Sequence, residues 1–69
     1  MMTMLPIKQV QLNLRHVGYY YKGKIDGIEG PKTKAAYRAF QKDSKIKVDG
    51  IYGKNTEQAL IEMAKDMQI

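Results

Sequence analysis

Apolar residues return at helical spacing three times along this chain. Ile7, Val10, Leu14 and Val17 form a one-sided stripe and predict a helix over residues 7–17. Pro6 suits its start, and Gly18 suits its end as a left-handed cap. Gln11 flanks the stripe, while Leu12 falls opposite, on the exposed side. Thr33, Ala36, Tyr37 and Phe40 predict a second helix from about Pro31 to Lys42. Thr56, Ala59, Leu60, Met63 and Met67 predict a third from about Lys54 to Lys65. Residues 1–6 read as a lead-in and the last few residues as a fraying end.

The segments between these helices say the same thing twice. Asp26-Gly27-Ile28-Glu29-Gly30-Pro31-Lys32-Thr33 returns 23 residues later as Asp49-Gly50-Ile51-Tyr52-Gly53-Lys54-Asn55-Thr56. Asp-Gly is a turn dipeptide, because Gly accepts positive φ and the Asp side chain bonds nearby backbone N–H groups. Ile28 and Ile51 read as plugs aimed back into the core. Pro31 fits a first helical position, where its missing N–H costs nothing. The expected fold class is therefore all-α: a compact three-helix bundle with two repeated Asp-Gly turn-plus-helix units. It is expected to be a single domain over residues 1–69, with a core from about 7 to 66.

Tyr19-Tyr20-Tyr21-Lys22-Gly23-Lys24 reads as a short strand or a loop. Tyr19 is expected to plug the core, leaving at least one of Tyr20 and Tyr21 facing solvent. Gln41 sits beside Phe40 as Gln11 sits beside Val10. Such paired amides suit either the backbone groups of the linking loops or an amide-rich ligand.

Composition narrows the chemistry. A chain of 69 residues buries only about 60% of its unfolded surface. It has no Cys, hence no disulfide and no thiolate metal site. Its one histidine, His16, cannot build a zinc site alone, so neither metal nor cofactor is expected. His16 falls on the outer side of the first helix, where a cation near the C-terminus is favourable. A phosphate loop is excluded by spacing, and a calcium loop by its missing oxygen ligands.

The net charge is +5, and it is uneven. Residues 1–54 carry eleven Lys/Arg against four Asp/Glu; residues 55–69 carry one against three. Lys34, Arg38 and Lys42 line one flank of the second helix. That balance admits an anionic partner: nucleic acid, acidic lipid or an anionic cell wall. No stretch reaches the length of a membrane span. The N-terminus lacks the pattern of a signal peptide, so export by another route, or excision from a longer chain, is expected. The doubled Met1-Met2 hints at an added start codon.

The ordered series of residues resembles the peptidoglycan-binding domain family, found as add-on modules of cell-wall hydrolases. The opening is Ile7, Val10, Gln11, Leu14, Val17, Gly18, Tyr19. It continues through Asp26, Gly27, Gly30, Thr33, Ala36, Tyr37, Phe40 and Gln41. It closes with Asp49, Gly50, Ile51, Tyr52, Gly53, Thr56, Ala59 and Leu60. The resemblance spans about residues 7–60. It departs at Glu29, where the family often has an aromatic; Tyr52 keeps one in the second turn.

The resemblance implies a three-helix fold and non-catalytic binding of bacterial peptidoglycan, serving an attached or partner cell-wall hydrolase. It implies a monomer at the cell wall, outside the cell, with no nucleic acid and no membrane as partner. A groove near the end of the first helix, the tyrosine loop and the exposed side of the second helix suits glycan and stem peptide. Its candidate ligand-binding residues are Tyr20, Tyr21, Arg38, Gln41 and Tyr52. No catalytic residue is expected. The competing readings are a small basic nucleic-acid-binding module and a protein-interaction domain of a surface assembly. The first is opposed by Glu57, Glu62 and Asp66, expected outside on the third helix. The second would use Leu12 and Ile61 as exposed apolar contacts.

Overall fold

Pro6 fixes where the first helix begins. Its carbonyl accepts from the Val10 N–H at 3.0 Å, the first bond of the helical ladder. A computed structural model describes residues 4–66; Met67, the fraying end and Met1-Met2 lie outside the described residues. Three helices follow in order: α1 (Ile7–Gly18), α2 (Pro31–Asp43) and α3 (Lys54–Asp66). Among the described residues there is no strand, so the tyrosine segment is a loop. The predicted bounds fall within a residue of these.

α1 packs on both α2 and α3. Val10 and Leu14 from α1, Ala36, Tyr37 and Phe40 from α2, and Leu60 from α3 form the buried core, with Tyr21 from the loop. Thr33 and Thr56 are buried with them. Leu12 and Ile61 are exposed, as the periodicity required.

Helix ends depart from expectation. Gly18 is the last residue of α1, and the left-handed residue is Tyr19, with φ 58° and ψ 31°. Tyr19 is 62% exposed, so it does not plug the core. The reason is geometric. The Tyr19 and Tyr20 N–H groups turn back onto the Arg15 and Leu14 carbonyls, which throws the Tyr19 side chain outward. Gly18 is needed for another reason: a Cβ there would stand 2.5 Å from the Tyr20 ring.

α2 ends in a Schellman motif. The Ile46 N–H bonds the Gln41 carbonyl, and the Lys45 N–H bonds the Lys42 carbonyl. Lys45 takes the left-handed place, φ 59°, usually held by glycine. Ile46 follows, half-buried.

Candidate functional site

Each Asp-Gly turn is clamped by one buried glutamine from the helix before it. Gln11, fully buried, donates from Nε2 to Ile28 O at 3.0 Å, Thr33 Oγ1 at 3.1 Å and Asp26 Oδ1 at 3.3 Å. Its Oε1 accepts from the Gly27 N–H at 2.9 Å and the Asp26 N–H at 3.2 Å. Gln41 repeats this at the second turn. It donates to Asp49 Oδ1, Ile51 O and Thr56 Oγ1, all within 3.0 Å, and accepts from the Asp49 and Gly50 N–H groups. A glutamine suits this place because one amide offers two donors and an acceptor on a chain long enough to reach. The paired amides therefore serve the linking loops.

Each turn closes on itself as well. Asp26 and Asp49 each accept their own Ile N–H at 2.9 Å. Gly27 and Gly50 hold φ of 77° and 72°, a backbone that strains any other residue. The threonine hydroxyls of Thr33 and Thr56 add a bond to the same isoleucine carbonyls. With both polar groups of Ile28 and Ile51 tied inward, the side chains point out: 67% and 65% exposed. They are not core plugs.

These bonds set a pH dependence. The Ile28 N–H holds the Asp26 carboxyl below its ordinary 3.8 against the opposing effect of desolvation, with Gln11 adding to the lowering. The Ile51 N–H, then Gln41, does the same for Asp49. A carboxyl depressed in the folded state stabilises the fold above its ordinary value. That contribution is lost as pH falls through the lower folded value. Thermal melts should therefore weaken as pH drops below 3.8. Asp49→Asn should flatten the acid limb; an unchanged limb would contradict the assignment.

Two tyrosines brace the outside of the turns. The Tyr37 hydroxyl donates to Glu29 at 2.8 Å, and the Tyr52 hydroxyl to Glu57 at 2.6 Å. Their rings lie 5.3 Å apart. Burial first, then the adjoining glutamate, raises both phenols above their ordinary value, so both stay neutral. Glu57 also accepts the Leu5 N–H at 3.0 Å and is buried. It does not face solvent as expected, because it ties the lead-in to the second turn. Glu62 is exposed.

The five sequence candidates do not converge. Tyr21 is buried; its hydroxyl donates to the Lys24 carbonyl at 2.5 Å, and Arg15 stacks on its ring at 5.9 Å. Gln41 is buried with its whole amide engaged. Neither presents a polar atom outward. Tyr52 is half-buried against Tyr37. Arg38 is exposed and lies over Gly50. Tyr20 is half-buried, edge-on to Phe40 at 5.5 Å, with its hydroxyl donating to Asp43 at 2.8 Å.

Tyr20 lines a groove among the described residues. That groove, about 330 Å³, runs between the tyrosine loop and α2, with Lys22, Gly23, Lys32, Ala35 and Ala36. Arg15 was not singled out by sequence. Its guanidinium donates to the Tyr21 and Gly23 carbonyls and holds the loop that forms one wall. Its place in the last turn of α1 marks only a favourable charge.

A small helical module, two clamped turns and a shallow cationic groove define a binding domain. The family model described as a peptidoglycan binding domain matches residues 4–60, and the chain belongs to that family. It is a binding family, not a catalytic one, and its ligand, peptidoglycan, associates it with the cell wall. No curated protein and no solved structure matches the chain. No described helix is long and apolar enough to cross a membrane.

Proposed function

We propose that this domain, acting as a monomer outside the cell, brings an attached or partner cell-wall hydrolase to its peptidoglycan substrate. The match over residues 4–60 carries this reading. The groove beside Tyr20 is the surface offered to the glycan. Tyrosine gives rigid, amphipathic area at low entropy cost, and its ring is already fixed by Phe40 and Asp43. Lys22 from the loop and Lys32 from α2 add charged donors on the groove's two walls. Tyr21 and Gln41 support this surface from behind. Arg38 and Tyr52 contribute around the second turn.

Co-sedimentation with purified sacculi tests this. The wild-type domain is expected in the pellet. Tyr20→Ala, shown folded by circular dichroism, should weaken retention by about tenfold, the order expected for an aromatic anchor. Wild-type protein left in the supernatant would overturn the reading. In the full reading frame, deleting this domain should lower a hydrolase's action on sacculi and spare its action on soluble fragments.

A further inference from the structure

The two turns show solvent the same set of side chains. Ile28 and Ile51 are both about two-thirds exposed, on backbones whose polar groups are already satisfied. A basic residue of the preceding helix stands beside each turn glycine, through its Cβ at the first turn and its guanidinium at the second. Lys8 Cβ stands 3.6 Å from where a Cβ on Gly27 would be, and an Arg38 guanidinium nitrogen 2.9 Å from its counterpart on Gly50. Lys8 and Arg38 hold the same helical place, each three residues before the clamping glutamine. Lys24 and Lys47, both exposed, stand two residues before the two aspartates.

The turns also differ in one direction. Glu29 adds negative charge to the first; Tyr52 stands there in the second. At the second turn, Lys54 joins Lys47, Ile51 and Thr56 around a cleft of about 190 Å³. Each aspartate is negative, but its Oδ1 already accepts two N–H bonds. At the second turn Arg38, Lys47 and Lys54 outnumber Asp49, whereas at the first Lys8 and Lys24 match Asp26 and Glu29. An exposed, rigid isoleucine ringed by cations suits a ligand with a small apolar group beside a carboxylate.

We propose that the two turns are paired contact points for the peptide part of the wall polymer. Each isoleucine covers a small aliphatic side chain, and the flanking cations hold a carboxylate. The second turn is the tighter of the two. This rests on the peptidoglycan reading above. It adds peptide recognition at two points to the glycan groove, and two points grip a repeating polymer more firmly than one.

Methyl NMR with soluble probes is the test. A disaccharide–tetrapeptide should shift the Ile28 and Ile51 δ1 methyls, Ile51 at the lower concentration. The same disaccharide without peptide should shift neither, and amidating the peptide carboxylates should weaken the response about tenfold. Ile28→Ser and Ile51→Ser, both surface changes, should each reduce sacculus retention by several-fold to about tenfold. The double variant should lose more than either. Shifts at one turn only, or with the bare disaccharide, would overturn the paired contact. So would silence at both turns while sacculi still retain the wild type, and the wall reading would then stand. Loss of wild-type retention would remove both readings.

Discussion

Replacing Gln41 with leucine is expected to lower stability by about 2–6 kcal/mol, because it orphans two backbone N–H groups and each orphaned buried polar group costs about 1–3 kcal/mol. Leucine matches the volume but offers no donor or acceptor. It strands the Asp49 and Gly50 N–H groups, which Gln41 now serves, while the Ile51 carbonyl keeps the Gly53 N–H and the Thr56 hydroxyl. A domain this small holds only roughly 3–10 kcal/mol in total, so much of the population should unfold. Urea denaturation followed by circular dichroism checks this. Gln41→Glu gives a sharper test. It sets a second carboxylate beside Asp49 Oδ1, now 2.9 Å from the Gln41 amide nitrogen. Its stability should therefore rise as pH falls from 7 toward 5, a range in which the two aspartates leave the wild type level. A Gln41→Leu domain as stable as wild type would show that the clamp is idle.

Phe40→Ala should cost about 3–5 kcal/mol, the usual range for truncating a fully buried aromatic. Phe40 is 0% exposed and lies at the centre of the core. Its ring also seats the edge of Tyr20 at 5.5 Å. The loss therefore combines a cavity with a loosened groove wall. A double-mutant cycle with Tyr20→Leu should show coupling of about 0.5–1.5 kcal/mol, the extra worth of an aromatic pair. Chemical denaturation of the four proteins measures it. Additive losses would mean that Tyr20 stands independently of the core.

The helices were legible because their signal is local. One apolar stripe per helix, with Pro6, Pro31 and two Asp-Gly turns as punctuation, fixes where each begins. The direction of single side chains at the joins was not legible. Tyr19 and Ile51 look like core residues by hydropathy. Their outward aim follows from a left-handed φ and from backbone bonds closed elsewhere, which periodicity does not encode. Glu57 looked solvent-facing for the same reason. Its partners, the Leu5 N–H and the Tyr52 hydroxyl, come from a distant segment and from the turn before α3. Of the five candidates, Tyr20 was legible as a groove-lining residue because it follows a helix end amid lysines. Tyr21 and Gln41 could not be told from ligand contacts, since an amide or phenol serving the protein's own carbonyls is the same residue type as one serving a guest.

The glutamine clamp also sets a limit on growth of the pattern. Thr33 lies eight residues before Gln41, and eight residues after Thr56 stands Ala64. A methyl group has no hydrogen to give and no lone pair to lend, so α3 cannot anchor another bend in the manner of its two predecessors. The scheme that would otherwise propagate like a solenoid is brought to a stop by a single side chain, and the module stays two bends long.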